Sequence, residues 1–235
     1  MVTATDFSPA VAPLVREVDA DAWEEIYIVG DVHGCRSELE TLIATLDPSD
    51  DDLVVFVGDL VRKGPDSRGV VELVSGHENF ISVRGNNEDK LIHGRKSLDA
   101  VTEPFDDYLE SLPVVLLFDD AMVVHGGVDY RKSFADHSIE ELLNSRAIPP
   151  EQGYDGPFWY EGYEGPPRVF FGHTVLDEPV VGEWAVGLDT GCVYGGELTA
   201  YDYRNDELLS VPAEREYQSR ADRKIIEPTD GYIEI

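Results

Sequence analysis

The strongest constraint on the fold is an alternation, near the start of the chain, between short apolar runs and helix-length amphipathic stretches. Three runs of strand length, at 26–29, 53–57 and 80–83, are rich in β-branched and aromatic residues. The stretches between them, at 38–46 and 70–74, carry apolar stripes with helical spacing. This βαβαβ order predicts parallel strands joined by crossover helices.

The second half of the chain shows closely spaced apolar runs, which favour antiparallel, hairpin-rich strands. These runs lie at 114–118, 122–124, 169–171, 184–188 and 198–203. Helices are expected at 86–95, 105–112 and 138–145, and a long functional loop is expected at 149–167. Together these elements predict an α/β fold, a two-sheet mixed β sandwich flanked by helices.

Chain length and local composition predict one folded domain. Residues 1–24, with two prolines and several acids, are expected to form a mobile or loosely docked acidic leader, and residues 25–235 a single domain. No apolar stretch is long enough to span a bilayer, so we expect a cytoplasmic protein without a membrane partner. Cys35 and Cys192 form no CxxC pair, which favours two small buried side chains over a disulfide or a thiolate zinc site.

The formal net charge of -30 is extreme for 235 residues, because 48 acids face 18 Lys and Arg residues. Such a surface repels double-stranded nucleic acid, so we expect no such partner. In molar salt the screening length falls to about 3 Å, which relieves self-repulsion. We therefore hypothesise a halophilic protein from a salt-rich cytoplasm, against the alternative of ordinary acidic solubility. A fold or activity that survives salt removal undiminished would contradict this hypothesis.

Residue types that ligate metals follow the ends of five predicted strands. In an open α/β sheet the carboxyl ends of parallel strands share one edge, so these side chains can converge on one crevice. Flanking glycines allow tight turns and close backbone approach. The residues concerned are Asp31, His33, Asp59, Asn86, His125 and His173.

Three carboxylate or amide groups and three imidazoles, with one carboxylate placed to bridge, suit a cage for two divalent ions. We expect Mn first, with Fe, Zn, Co or Ni as alternatives. Two ions about 3.5 to 4 Å apart can share a hydroxide at neutral pH and clamp the oxygens of a displacement at phosphorus. The chain carries no GxSxG, P-loop or HExxH pattern that would support a rival chemistry.

The ordered motifs resemble those of calcineurin-like metallophosphoesterases of the phosphoprotein phosphatase type, a family with a four-layer fold. Residues 189–199 resemble the matching segment of symmetrical diadenosine tetraphosphatases and related serine/threonine phosphatases, and the resemblance spans about 26–203. It implies that Asp31 and His33 bind the first metal, that Asp59 bridges, and that the other three residues bind the second. The motifs are Gly30-Asp31-Val32-His33-Gly34, Gly58-Asp59, Gly85-Asn86, His125-Gly126-Gly127 and Gly172-His173.

One departure from the family affects the chemistry directly. The family has a His after Gly-Asn that protonates the leaving oxygen, whereas this chain has Asn87, and Arg62 replaces the Asp that orients that His. General acid catalysis is worth about 10² to 10⁴ in rate, so alkyl phosphate esters should be poor substrates. The leaving groups of phosphoanhydrides and aryl phosphates are weaker bases and need less help from a general acid. Asp59 and Asn87 occupy the expected catalytic positions.

The sequence therefore predicts a hydrolase that cleaves a phosphoanhydride or activated phosphomonoester with a metal-bound hydroxide. A dinucleoside polyphosphate or similar phosphorylated small molecule is the expected substrate. A protein phosphatase acting on a phosphoprotein, or a catalytically weak metal-containing binding module, remain alternatives. Substrate cations are sought among Arg62, Lys63, Arg84 and Arg168, although a surface role fits each equally, and a stacking aromatic among Tyr194, Trp159 and Tyr160.

Overall fold

The computed structural model of the protein describes residues 1–228, without the side chains of residues 99, 102 and 103. The helices are α1 (Arg36–Leu46), α2 (Ser67–Ser75), α3 (Asn86–Ile92), α4 (Asp99–Ser111) and α5 (Ile139–Asn144). The strands are β1 (Val15–Glu17), β2 (Ile26–Val29), β3 (Leu53–Phe56), β4 (Phe80–Ser82), β5 (Val115–Phe118), β6 (Ala121–Val124), β7 (Arg168–Phe171), β8 (Val180–Val181), β9 (Ala185–Gly187), β10 (Glu197–Asp202) and β11 (Glu207–Pro212).

The strands form two mixed sheets, which confirms the predicted α/β sandwich. The six-stranded sheet has the order β1-β5-β6-β7-β9-β8, and the five-stranded sheet has the order β11-β10-β2-β3-β4. β2, β3 and β4 are parallel, as their βαβαβ order predicts. The later strands form the expected antiparallel hairpins β5-β6, β8-β9 and β10-β11. The expectation is wrong only for β7, which lies parallel to both β6 and β9. The long connection at 125–167, which contains α5, permits that parallel crossover.

Both faces of the central strands are buried, which explains their nearly continuous apolar sequence. Ile28 and Val55 face the other sheet and pack in one core cluster with Phe170. Val29 and Phe56 point the opposite way, into a cluster with the apolar faces of α1 and α2. The helices and the second sheet thus hold the carboxyl ends of β2, β3 and β4 at a single edge.

Residues 1–24 belong to this packing, which corrects the expectation of a mobile or loosely docked leader. Phe7 and Val11 are buried in the core cluster of the six-stranded sheet, and β1 adds to that sheet as a parallel edge strand on β5. The sequence pattern did not reveal these few buried apolar residues, because acids and prolines surround them. The single-domain boundary at 25–235 stays a prediction, and its residues 229–235 lie outside the described part.

Cys35 and Cys192 are free and buried, as expected. Their thiols nevertheless lie with the Glu38 carboxylate in one group whose potential ligand atoms are all within 4.8 Å of one another. A search for CxxC spacing could not find this proximity, because the two cysteines are far apart in sequence. Among the helices of residues 1–228, none has the length and apolar character needed to cross a bilayer.

Replacing Phe7 with Ala tests whether the N-terminal segment is part of the core. Phe7 stacks on Phe134 with 5.4 Å between ring centroids, and losing a buried Phe ring typically costs about 3 to 5 kcal/mol. We expect Phe7→Ala to lower the free energy of unfolding by about 3 kcal/mol, measured by denaturant unfolding in molar salt. Tyr130→Ala removes a ring that is 43% exposed and should cost far less. Equal, small losses in both variants would contradict the packing.

Candidate active site

The loops that follow β2, β3 and β6 bring carboxylates and imidazoles together beneath the surface. His33 Nε2 lies 3.6 Å from Asp31 Oδ2 and 3.5 Å from Asp59 Oδ2. His125 Nε2 lies 3.5 Å from Asp59 Oδ1. All four residues are at most 3% exposed. Asp59 therefore faces one imidazole with each of its carboxylate oxygens, as a bridging residue requires.

The loops after β4 and β7 complete the group. Asn86 Nδ2 lies 2.9 Å from His173 Nδ1, and the His173 backbone N–H donates to Asp31 Oδ1 at 3.2 Å. The Asn86 side-chain oxygen, the atom that a metal would need, accepts from Lys90 at 3.0 Å. Rotating the Asn86 side-chain amide would exchange its oxygen and nitrogen, so that the oxygen would face His173. The structure thus assembles all six residues, while their roles as ligands stay a prediction.

The imidazoles present the right atoms for a divalent cation. His125 Nδ1 lies 2.8 Å from the Val57 carbonyl and His33 Nδ1 lies 3.2 Å from the Val61 carbonyl. These contacts place the proton on Nδ1, so that Nε2 offers a lone pair. His125 Nε2 is buried without a hydrogen-bond partner, and His125 forms a three-residue group with Asp31 and Asp59 that could hold a metal ion. These donors fit a divalent metal.

Burial sets the charge state of the site. It lowers the pKa of His33 to about 3, and it also lowers the pKa values of His125 and His173. Burial, followed by the charges of Asp189 and Asp59, raises the pKa of Asp31 well above its usual value. Burial also raises the pKa of Asp59, but His125, His33 and Lys63 outweigh it and hold that pKa below its usual value. Neutral imidazoles beside crowded carboxylates are a state that bound cations would stabilise.

The backbone of the site is strained. Eight non-glycine residues of the described chain have positive φ, and five of them belong to this site: His33, Asp59, Arg62, Lys63 and His173. Such residues persist only where the surroundings fix them, which is common at functional sites. Two glycines are needed for close approach: a Cβ on Gly172 would overlap Asp31 Oδ1, and one on Gly85 would overlap the Asp59 backbone and carboxylate.

The first turn of α3 fixes the position of Asp59. The buried Glu88 carboxylate accepts hydrogen bonds from the backbone N–H groups of Asp59 at 2.9 Å, Val61 at 3.1 Å and Gly85 at 2.8 Å. Burial, followed by the charge of Asp59, raises the pKa of Glu88 to about 8. Asn87 donates its backbone N–H to Asp59 Oδ1 at 2.8 Å, and its side-chain amide donates to Oδ2. Glu88 is thus a positioning residue, and sequence reasoning missed it although it adjoins Asn87.

A cavity of about 210 Å³ opens above Asp31, Asp59, Asn86 and His173. Its wall includes Tyr194, whose role in substrate binding stays a prediction, together with Tyr154. Sequence reasoning found two of its cations and missed three, because the missed ones come from a helix, a loop and the C-terminal segment without a recognisable motif. The five cations are Arg62, Lys63, Lys90, Arg146 and Arg220.

Four other candidates lie elsewhere. Arg84 donates to the carbonyls of residues 110 and 112 and lies 3.6 Å from Asp89, so it supports the loop after β4. Arg168 pairs with Asp206 at 3.0 Å at the other end of β7. Trp159 and Tyr160 are at most 2% exposed and pack in the core. None of these four lines the cavity, so the substrate-binding roles expected for them are corrected.

The family model for calcineurin-like phosphoesterases matches residues 25–197, which is more than half of the chain. The chain belongs to this family. It is therefore a metal-dependent hydrolase of phosphoric esters or anhydrides, in agreement with the cage just described.

Individual relatives agree with this assignment. The asymmetrical bis(5'-nucleosyl)-tetraphosphatase PrpE of Halalkalibacterium halodurans is 32% identical, and the match covers 79% of this chain and 93% of that protein. The enzyme of the same name from Anoxybacillus flavithermus is 30% identical over 81% of this chain and 95% of that protein. A crystal structure of a candidate diadenosine tetraphosphatase superposes with a TM-score of 0.73 at 31% identity, covering 85% of this chain and 97% of that one.

Metal uptake tests the cage directly. We expect wild-type protein to bind two Mn²⁺ per chain by isothermal titration calorimetry, and Asp59→Asn to weaken binding by at least about 100-fold because a direct ligand loses its charge. The exposed residue Asp51 supplies the matched control, Asp51→Asn. Unchanged uptake in Asp59→Asn would rule out a bridging role for this carboxylate.

Proposed function

We propose that the protein hydrolyses a phosphoanhydride bond of a dinucleoside polyphosphate, with Mn as the metal to test first. The observation that supports this most is the cavity, in which five cationic side chains surround the mouth of the metal cage. In a chain with a net charge of -30, so local a concentration of positive charge favours a ligand with several negative groups. A chain of phosphates is such a ligand.

The chain's own residues would orient and hold this substrate. Bound divalent ions would supply Lewis acidity and lower the pKa of a coordinated water. Lys63 Nζ lies 2.5 Å from His33 Nε2 and 5.2 Å from the centre of the Tyr194 ring, so it can pair with a phosphate oxygen beside the cage. Arg146 donates to His173 Nε2 at 2.7 Å and stacks on Tyr154. If His173 held a metal through Nδ1, its Nε2 would carry the proton and Arg146 would be available to a phosphate.

Asn87 favours an anhydride over a phosphoprotein substrate. Its side-chain oxygen accepts from Arg62 at 2.5 Å while its amide nitrogen donates to Asp59. Asn87 thus orients the bridging carboxylate, and it has no proton to give to an alkoxide. A phosphate leaving group needs no such proton, whereas the serine alkoxide of a phosphoprotein does. A protein phosphatase therefore remains the second candidate.

The names of the relatives support the same substrate class. Those described above are named asymmetrical bis(5'-nucleosyl)-tetraphosphatases. Symmetrical and asymmetrical cleavage of a dinucleoside tetraphosphate break different anhydride bonds, so analysis of the products distinguishes the two. A salt-rich cytoplasm is the setting that we propose, and activity retained in full after salt removal would contradict it.

A panel of substrates in molar salt tests the proposal. The panel comprises diadenosine tetraphosphate, ATP, p-nitrophenyl phosphate and a phosphoserine peptide, each assayed with Mn, Co, Ni, Zn or Mg. We expect fastest turnover of diadenosine tetraphosphate, slow turnover of the peptide, and loss of turnover in Asp59→Asn but not in Asp51→Asn. Faster peptide turnover would favour the protein phosphatase. Metal uptake without turnover of any substrate would favour the binding module.

Introducing a histidine at position 87 tests whether the lack of a general acid makes alkyl phosphates poor substrates. Because Arg62 contacts Asn87 and would repel a protonated imidazole, the informative variant is Asn87→His combined with Arg62→Asp. We expect this double variant to hydrolyse an alkyl phosphate about 100-fold faster than Arg62→Asp alone. Hydrolysis of the tetraphosphate should change little. An equal gain on both substrates, or no gain on either, would show that leaving-group protonation does not limit this enzyme.

A further inference from the structure

The segment after β11 contributes Arg220 to the cavity wall and is hydrogen-bonded to neighbouring loops near both of its ends. We call residues 213–228 the C-terminal strap. At its start, the backbone N–H groups of Tyr217 and Gln218 donate to the Val193 carbonyl at 3.1 and 3.0 Å. At its end, Ile226 donates to the Val175 carbonyl at 2.9 Å. Val193 adjoins Tyr194 and Val175 follows His173 closely, so the strap is attached to the two loops that flank the cage.

Between these attachments the strap carries Arg220 into the cavity wall. The Arg220 guanidinium lies 4.7 Å from the centre of the Tyr194 ring and 5.7 Å from that of the Tyr154 ring. It donates to the Tyr194 hydroxyl at 3.1 Å and to the Tyr154 hydroxyl at 3.3 Å, and its Nε donates to the Lys224 carbonyl at 3.0 Å. Three contacts thus hold the guanidinium in one orientation.

This arrangement leaves donors without acceptors. A guanidinium has five N–H groups, and three of them are used here, so one remains on each terminal nitrogen. Each tyrosine hydroxyl accepts a hydrogen bond from Arg220 and can still donate its own proton. Among the carboxylates that the structure describes, none lies within 4.0 Å of the Arg220 guanidinium, whereas Arg131 pairs with Asp129 at 2.7 Å. The buried Asp189 carboxylate interacts with Arg220 only through its charge at longer range. An unpaired, oriented fork of donors is the geometry that recognises a phosphate.

We propose that Arg220, Tyr154 and Tyr194 form a second phosphate subsite, which binds a phosphoryl group other than the one attacked at the metal cage. This inference rests on the proposed function and deepens it. The subsite lies in the same cavity as the cage, so a substrate that fills both must carry several phosphates in one chain. Arg220 is then a specificity residue that favours polyphosphates over monoesters, and the strap is the element that supplies it.

Steady-state kinetics with two substrates test the subsite. Arg220→Ala should raise KM for diadenosine tetraphosphate by about 10-fold or more, the loss expected for a hydrogen bond to a charged group, with a smaller change in kcat. Its kinetics with p-nitrophenyl phosphate should stay within about 2-fold of wild type, because the one phosphate of that substrate occupies the cage and leaves the second subsite unused. Arg220→Lys should recover only part of the loss, because an ammonium cannot form the bidentate fork. Arg223→Ala, which removes an exposed arginine of the same strap, should resemble wild type.

Equilibrium binding separates this inference from the proposed function. Inorganic tripolyphosphate is titrated into metal-free wild type, Arg220→Ala and Arg223→Ala by calorimetry, because without metal the cations of the cavity are the groups that can hold it. We expect Arg220→Ala alone to lose tripolyphosphate affinity by about 10-fold. Equal affinities in all three proteins would overturn the subsite even if diadenosine tetraphosphate is hydrolysed. Selective loss without any turnover would support the subsite and refute the proposed function.

Discussion

The active site depends on one buried carboxylate that joins two loops. Glu88, at the start of α3, accepts backbone N–H groups from the loop after β3 and from Gly85, while Asn87 beside it donates to Asp59. The loop after β3 can therefore hold Asp59 at positive φ, with each carboxylate oxygen facing an imidazole. Because the Cβ of any other residue at position 85 would overlap Asp59, the two loops meet only through glycine.

The second organising feature is the separation of charge. The chain as a whole carries a net charge of -30, yet one cavity collects five cationic side chains around a buried group of acids and imidazoles. Burial keeps the imidazoles neutral and penalises the carboxylates, so the cage favours bound cations. The cations around it then favour an anionic substrate. Long-range repulsion of anions by the acidic surface would weaken in salt, which leaves the short-range contacts of the cavity to select the ligand.

Sequence predicted those features that depend on local pattern. The βαβαβ order, the apolar strands and the ligand residues at their ends are all visible in short windows, and the structure brings Asp31, Asp59 and His125 together accordingly. Features that depend on distant packing could not be predicted. Short β1 is identified only by its pairing with β5, and the aromatic pair at 159–160 turned out to be buried rather than available to a nucleobase. Arg146 and Arg220 reach the cavity from segments without periodicity, so no motif marks them.

Anomalous diffraction from crystals grown with Mn²⁺ tests most directly whether two metal ions bind on either side of Asp59. Two anomalous peaks about 3.5 to 4 Å apart are predicted, one beside Asp31 and His33 and the other beside Asn86, His125 and His173. The absence of any peak beside Asp59, or a single peak in the separate group of Cys35, Glu38 and Cys192, would contradict a two-metal site at Asp59.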